Sequence, residues 1–263
     1  MPEIDLAAYY DRIGAEPPAA CDIEALAALQ RAHLLAIPFE NLDIPLGRGI
    51  SLDPDAVFAK LVTRRRGGYC FEQNQLFLRV MRTLGFEARP LLGRVWLTAN
   101  GVPGRSHMLN LVSLEGRDWI VDAGFGGTPA PLLQLEADRV ETTPDGVRHR
   151  LRSDADHHWM LERDGGSGWQ PQYSFTLDRV WPSDFAFSNH YTSTAPDSLF
   201  MNVKMVSKPT ETGYVSLTDR RLRLAADDIR ELDDPADYQA ALATFFGIDL
   251  SDEEVARLGI FQD

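Results

Sequence analysis

The spacing of apolar residues changes near residue 88, and this change constrains the fold more than any other feature of the sequence. Before it, apolar residues recur at helical spacing: Leu76, Val80 and Leu84 are four apart, and Gly85 follows them. After it, residues 89–96 and 108–114 alternate in the manner of β-strands. Helices that precede strands, instead of alternating with them, favour an α+β fold.

Residues that start or stop helices divide the beginning of the chain. One helix is expected to begin after Asp22, a possible N-cap, and to end at Pro38, because proline lacks an amide N–H and clashes with the preceding turn. A second helix is expected from Asp53 to about Val62, and a third after Gly68.

The rest of the chain is expected to begin with strands and end with helix. Short strands separated by turns are predicted to continue to about residue 190, with 158–162 and 169–177 among them. Residues 200–225 predict two more strands around Thr212-Gly213, and residues 235–258 predict a return to helix. The expected result is an α+β protein in about three parts.

Charge and composition exclude several classes of protein. A formal net charge of −13 disfavours a nucleic-acid partner, because an acidic chain repels phosphates. No stretch approaches the roughly 18 apolar residues of a membrane span, and no secretion signal is recognisable. The two cysteines, Cys21 and Cys70, have no spacing typical of zinc ligands, so no metal is expected. We therefore expect a cytoplasmic protein whose thiols stay reduced.

The segment 66–74, RGGYCFEQN, gives Cys70 an unusual position. Its two glycines permit a tight turn, and the cysteine then lies at or just before the first turn of a helix. Free N–H groups and partial positive charge at a helix N-terminus favour the nucleophilic thiolate, and the N–H of Cys70 could hold a developing oxyanion. Without this setting, a lone cysteine is more often a small buried hydrophobe. Cys21 has no such setting and is expected to be packed or lightly exposed near the start of a helix.

A thiol nucleophile needs a base and a group that orients the base. One predicted hairpin carries a candidate for each role. His107 opens a strand, and Asp122 ends an apolar run where a buried carboxylate needs a partner. If Glu115-Gly116 is a two-residue loop, Asp122 lies opposite Leu109, and His107 is its diagonal neighbour about 7–8 Å away. A loop one residue longer or shorter would place the two on opposite faces.

Together Cys70, His107 and Asp122 have the composition of a catalytic triad, in which imidazole takes the thiol proton and the carboxylate orients the imidazole. Taken separately, His107 is more often a structural strand residue and Asp122 a capped turn residue. Their order along the chain does not choose among acyltransferases, peptidases and transglutaminases.

Several segments resemble the arylamine N-acetyltransferase family. Segment 66–74 resembles the family's nucleophile motif along its whole length, and IPFENL at 37–42 resembles its PFENL segment. Arg89-Pro90 with Arg94-Val95, then His107 and VDAGFG at 121–126, follow in the expected order and spacing. Residues 193–200 resemble the start of the third domain. The resemblance covers nearly the whole chain and thins after about residue 225.

The resemblance implies an architecture and a mechanism. It implies a helical bundle with the nucleophilic cysteine at 1–86, a β-barrel with histidine and aspartate at 87–190, and an α/β lid at 191–263, around a papain-like Cys-His-Asp core. It implies ping-pong transfer of an acetyl group from acetyl-CoA, through a thioester on Cys70, to an arylamine, arylhydrazine or arylhydroxylamine. It also implies a role in the metabolism of foreign compounds, and a protein that is a monomer or a homodimer.

The same resemblance assigns the binding residues. The positions that correspond to the family's substrate pocket are Phe39, Tyr69, Val95, Phe125 and Phe200, and aromatic faces suit a flat aryl amine. Contacts with coenzyme A are expected at Trp96, Gly104, Gly126 and Gly127, because glycine allows close backbone approach. The residues that hold the coenzyme A phosphates are not assigned.

Two other classes of protein fit part of the pattern. A papain-like or transglutaminase-like hydrolase shares the triad but needs an open groove for a polypeptide, which the implied aromatic pocket and lid disfavour. A non-catalytic binding protein could use the three residues as a structural hydrogen-bond network; a slowly alkylated Cys70 would favour it.

Overall fold

The computed structural model describes residues 4–261 except 98, 100, 144, 157, 212 and 226. It has the α+β architecture that the patterning predicts. Helices come first, followed by a large antiparallel sheet and then a smaller sheet with further helices. The helices are α1 (Leu6–Ile13), α2 (Ile23–Ala36), α3 (Pro54–Phe58), α4 (Cys70–Thr83), α5 (Pro182–Thr194), α6 (Leu199–Asn202), α7 (Pro235–Ala241) and α8 (Asp252–Arg257).

The helix boundaries have the expected local causes. The Asp22 carboxylate accepts the Ala25 N–H at 2.8 Å and caps α2, which ends two residues before Pro38. Asp53 caps α3, and Pro54 occupies the first helical position. After Phe58 this helix continues as a π-helical turn, Ala59–Thr63, so the predicted end near Val62 is confirmed, although the change of helix type was not foreseen.

Eight strands form the larger sheet: β2 (Glu87–Val95), β3 (His107–Leu114), β4 (Arg117–Val121), β5 (Leu133–Gln134), β6 (Val140–Thr142), β7 (Arg148–Asp154), β8 (His158–Asp164) and β9 (Gln170–Phe175). Their order is β5-β4-β3-β2-β9-β8-β7-β6. The two edge strands are consecutive in the chain, and the link between them docks on β7 through Asp138 N–H and Leu151 O at 2.7 Å. The sheet is thereby a nearly closed barrel, filled by its own apolar core.

The smaller sheet contains a strand from the beginning of the chain. Its order is β1 (Phe39–Glu40), β10 (Met205–Thr210), β11 (Gly213–Thr218), β12 (Arg221–Arg223), β13 (Ile229–Glu231). Phe39 pairs with Ser207. Nearby, the Asn41 amide donates to the carbonyls of Phe200 and Val203 at 3.0 and 2.7 Å and accepts the Met205 N–H at 2.8 Å. The PFENL segment therefore joins the helical part to the C-terminal part.

The structure differs from the sequence prediction in the segment that precedes residue 190, and it describes only one residue of a predicted turn. Strands were expected up to about residue 190, but the last strand of the larger sheet ends at Phe175, and α5 occupies Pro182–Thr194. Mixed polar and aromatic residues in α5 give no apolar stripe that would mark a helix. Of the predicted turn at Thr212-Gly213, Thr212 lies outside the described residues. No helix among the described residues has the length and apolar character needed to cross a bilayer.

Candidate active site

The β3–β4 hairpin has the register on which a His–Asp pair depends. Leu114 pairs with Arg117, so Glu115-Gly116 is the two-residue loop. Both loop residues have positive φ, 54° and 72°, as in a type I′ turn, which is common in two-residue hairpins. Continuing the register places Asp122 and His107 on the same face, as the sequence predicted.

His107 and Asp122 form a direct contact in the interior. Nε2 of His107 lies 2.7 Å from Oδ2 of Asp122, and the two residues are 2% and 3% exposed. Oδ1 of Asp122 accepts the Gly124 N–H at 3.0 Å. The carboxylate thus has donors on both oxygens, and the imidazole is held by one of its two nitrogens.

Cys70 is the first residue of α4 and lies beside His107. Its Sγ is 3.7 Å from the carbonyl oxygen of Ser106, the residue before His107, and the thiol is close enough to raise the pKa of the imidazole. Because Asp122 occupies Nε2, Nδ1 is the ring nitrogen left to face the thiol. The three predicted residues are therefore brought together at the N-terminus of a helix, where backbone N–H groups lack helical partners.

The interaction between His107 and Asp122 shifts the pKa of each residue in the direction opposite to the effect of burial. Burial alone would lower the pKa of His107, but the charge of Asp122 and hydrogen bonds with Asp122 and Cys70 raise it to about 10. Burial would raise the pKa of Asp122, but His107 and the amide donors from Asn74 and Gly124 hold it below its usual value. Both shifts favour an imidazolium–carboxylate pair.

Asn74 is a site residue that the sequence reasoning did not single out. Its Nδ2 donates to Asp122 Oδ1 at 2.9 Å and to the Met108 carbonyl at 2.7 Å. Its Oδ1 accepts the Ala123 N–H at 2.9 Å. Asn74 fixes the carboxylate between two strands. The signal was available, because position 74 lies one helical turn after Cys70 and therefore on the same face of the predicted helix.

The two glycines before Cys70 have a different role from the predicted one. Neither has a positive φ, so the turn itself does not require them. A Cβ on Gly67 would lie 2.3 Å from the Pro38 carbonyl oxygen, and one on Gly68 would lie 2.8 Å from a Glu72 carboxylate oxygen. The glycines are needed because the PFENL segment and Glu72 approach the backbone closely.

A buried ion-pair network holds this loop. Lys60 Nζ lies 2.9 Å from both a Glu72 oxygen and an Asp43 oxygen, and Arg66 makes two hydrogen bonds of 2.9 Å with Glu40. The second Glu72 oxygen accepts the Tyr69 N–H at 3.1 Å, directly before Cys70. The network therefore fixes the start of α4 and the PFENL segment against each other.

The predicted substrate residues fall into two groups. Phe200 lies between Phe39 and Tyr69, with ring centroids 5.9 and 5.6 Å away, and only Phe200 of the three is half-buried. Phe125 stacks edge-on against the His107 ring at 5.3 Å. Val95, at the end of β2, packs against the barrel core. Aromatic rings thus surround the site, while the binding roles stay predictions.

The residues predicted to contact coenzyme A also fall into two groups. Trp96 is half-buried and donates from its indole to Ser174 Oγ at 2.9 Å, and a Cβ on Gly104 would meet no atom within 4 Å. A Cβ on Gly126 would lie 2.6 Å from the Phe39 ring, and one on Gly127 2.7 Å from the Phe125 ring. Those two glycines are accounted for by packing against aromatic rings, so a coenzyme A contact there stays a prediction.

Comparison with known proteins decides the family. The N-acetyltransferase family model matches residues 22–255. An arylamine N-acetyltransferase of Escherichia coli K12 is 40% identical over 251 residues, covering 93% of this chain and 89% of that protein. The chain belongs to the arylamine N-acetyltransferase family.

Solved structures of arylamine N-acetyltransferases have the same fold. That of the Salmonella typhimurium enzyme superposes with a TM-score of 0.91 at 35% identity, covering 96% of this chain and 97% of that one. That of the Mycobacterium marinum enzyme in complex with CoA gives 0.87 at 32% identity, covering 97% and 98%. Among the residues described here, no group of three or more His, Cys, Asp or Glu side chains is arranged to hold a metal ion.

Proposed function

We propose that the protein transfers the acetyl group of acetyl-CoA to the nitrogen of arylamines, arylhydrazines or arylhydroxylamines, through a thioester on Cys70. One observation carries this proposal: His107 contacts the Asp122 carboxylate and lies beside Cys70, where α4 begins. This is the geometry of an activated nucleophile, its base and an orienting acid.

In the first half-reaction, the proton of Cys70 resides on His107 as the imidazolium that its raised pKa favours, and the Cys70 thiolate attacks the acetyl carbonyl carbon. The Cys70 N–H, at the first position of α4, is placed to donate to the developing oxyanion. The bond from the acetyl carbon to the coenzyme A sulfur then breaks. The leaving thiolate takes the proton from His107, so coenzyme A departs as a neutral thiol.

In the second half-reaction, the amine nitrogen attacks the thioester carbonyl of acetylated Cys70. His107 accepts a proton from the nitrogen and returns it to the Cys70 sulfur as that carbon–sulfur bond breaks. Asp122 keeps the imidazole oriented and stabilises its charged form, and Asn74 keeps Asp122 in place. Because one thioester replaces another in the first step, the intermediate is close in energy to the donor.

The acceptor is proposed to bind against the aromatic residues beside the triad. Phe200 is the most accessible member of its cluster with Phe39 and Tyr69, and Phe125 covers the edge of His107. Flat rings stack or pack edge-on against such faces. Coenzyme A is proposed to approach past Trp96 and Gly104, near the ends of the strands that flank His107, with Val95, Gly126 and Gly127 shaping the passage.

The three-part division at residues 86 and 190 is proposed for the chain, with α5 crossing its second boundary. A cytoplasmic location would keep both cysteines reduced, as the mechanism requires. A role in the metabolism of foreign amines and a state of monomer or homodimer are proposed from the resemblance to the family.

The test is intact-protein mass spectrometry. Brief incubation with acetyl-CoA and no amine should add one acetyl group to Cys70, and an arylamine should remove it as the acetylated amine appears. Cys70→Ala should take up no acetyl group and should lose turnover by at least about 10⁴-fold.

Cys21→Ser is the matched control. Cys21 is exposed, with its thiol directed at the Leu84 carbonyl, and its loss should leave acetylation and turnover unchanged. Acetylation of Cys70→Ala, or turnover by it, would refute the nucleophile assignment. Loss of the acetyl group from the native enzyme at the same rate with and without amine would indicate a hydrolase instead.

A further inference from the structure

A large cavity lies behind the catalytic helix and is not used by the proposed reaction. Its volume is about 720 Å³, within the usual range for small-molecule sites. It is lined by α4, by the start of β2 and by the segment that leads into α5. Phe71 and Met108, which follow Cys70 and His107 in the chain, form part of its floor, whereas Cys70 and His107 themselves do not line it.

Four arginines line this cavity in a chain whose net charge is −13. Arg79 is paired with Asp55 at 3.0 Å. Arg82 donates from Nε to the Ala88 carbonyl at 2.9 Å, and Arg89 donates from Nη2 to the Leu177 carbonyl at 3.0 Å. These bonds to neutral carbonyls leave the positive charges uncompensated.

The fourth arginine, Arg179, lies over the ring of Trp181 at 4.2 Å. Arg82, Arg89 and Arg179 form no ion pair with any described residue.

The acidic side chains of the neighbouring segment have other partners. Asp178 accepts from Thr176 and lies 3.6 Å from Arg105, and Asp184 accepts the Trp181 N–H at 2.8 Å. Three cationic groups are therefore available to an anion.

The remaining lining is apolar and partly aromatic. Trp181 is 53% exposed, and the buried side chains of Phe185 and Phe71 add aromatic rings to the lining. Gln75 also lines the cavity; its Oε1 is buried and receives no donor from the described residues. A ligand that fits has an apolar body for the floor and one anionic group for the arginines.

We propose that this cavity is a second ligand site, separate from the acetyl-transfer site, for aromatic compounds that carry a sulfonate or carboxylate group. The arginines bind the anion by charge-assisted hydrogen bonds, and Trp181 and Phe185 pack against the rings. Both residues of the Arg89-Pro90 motif line this site. An aromatic body is favoured over an alkyl chain because both Trp181 and the guanidinium planes stack on rings.

Fluorescence titration without acetyl-CoA tests the proposal with two probes. The probes are 8-anilinonaphthalene-1-sulfonate and N-phenyl-1-naphthylamine, which share the ring system but differ in the sulfonate. The native protein should bind the sulfonate at least about tenfold more tightly. Arg89→Gln combined with Arg179→Gln should weaken the sulfonate about tenfold or more and change the neutral probe less than about twofold, as expected for loss of charge-assisted contacts.

Arg221→Gln combined with Arg223→Gln is the matched control, because it removes two exposed arginines from β12, outside this cavity. It should leave the binding of both probes unchanged. Val180→Trp, which fills the cavity instead of changing its charge, should weaken both probes. The proposal is overturned if the two arginine pairs weaken the sulfonate equally, if neither does, or if Val180→Trp leaves both affinities as they were.

Discussion

Two buried histidines that lie beside α4 differ in charge: one is neutral and the other is cationic. His33 is fully buried, with Nδ1 2.9 Å from the Tyr9 hydroxyl and Nε2 2.8 Å from Gln73 Oε1. Burial lowers its pKa to about 4, so it is neutral. His107 is equally buried, but its pKa is raised to about 10 beside a carboxylate that Asn74 holds.

Burial alone does not decide the charge of a histidine in this fold, because the groups around the imidazole can outweigh it. The hydrogen-bond partners of His33 are neutral, and the charge of Arg12 lowers the pKa of His33 in the same direction as burial, so desolvation prevails. Around His107 the Asp122 carboxylate outweighs the same desolvation. The first histidine joins helices α1, α2 and α4, whereas the second can exchange a proton with a thiol.

The largest expected effect comes from removing the charge that separates the two histidines. Asp122→Asn should lower turnover by about 10⁴-fold, because the imidazole loses both its orientation and the stabilisation of its charged form. Steady-state acetylation of an arylamine measures this. Near-normal turnover would mean that His107 does not depend on Asp122, and that the charge difference between the two histidines has no part in the activity.

The dependence of stability on pH should reveal His33. Its folded pKa of about 4 lies below the unfolded value of 6.5, so the unfolded chain binds more protons between these two values and stability falls as the pH falls through this range. The loss from this residue should approach about 3 kcal/mol of unfolding free energy by pH 4. Denaturant unfolding at pH 7 and pH 4 measures it.

His33→Gln should therefore flatten the acid limb, although not completely. His149 is also buried, its pKa is lowered to about 4 by burial, and it contributes with the same sign. A variant that keeps the full wild-type slope would show that His33 is not held neutral. His107 has the opposite sign: its stabilisation is present below about pH 6.5 and is lost as the pH rises towards 10.

The smallest expected effect is that of Tyr9→Phe. This change removes the hydroxyl that pairs with Nδ1 of His33 and leaves a buried nitrogen without a partner, at a cost of about 1–3 kcal/mol of unfolding free energy. Turnover should stay unchanged, because nothing near Cys70 is altered. A loss of turnover that exceeds the loss of folded protein would show that the two histidine sites are coupled.

Local rules in the sequence were sufficient for the parts of the site that depend on local geometry. The Glu115-Gly116 turn determined which face His107 and Asp122 share, and the start of α4 at Cys70 followed from the break before it. Both depend on residues close in the chain, where turn type and helix periodicity are decisive.

The rest depends on contacts between distant segments. Nothing local indicates that Lys60 reaches both Asp43 and Glu72, or that Gly67 must admit the Pro38 carbonyl. Helix α5 was missed for a related reason, since it is held by few apolar contacts of its own and by Asn189, which bonds Tyr69 and the Ile50 carbonyl. The cavity beside it likewise exists only once the chain is folded.

Strand β1 has a consequence for synthesis on the ribosome. Its pairing partner, Ser207, is made roughly 170 residues after Phe39, as are the carbonyls that the Asn41 amide binds. At about 5–20 residues per second, the PFENL segment waits about 10 to 30 seconds for them. During that interval the emerging chain carries Cys70 on a helix whose neighbouring segment has not yet been anchored. Reactivity of the thiol should therefore arise only near the end of translation.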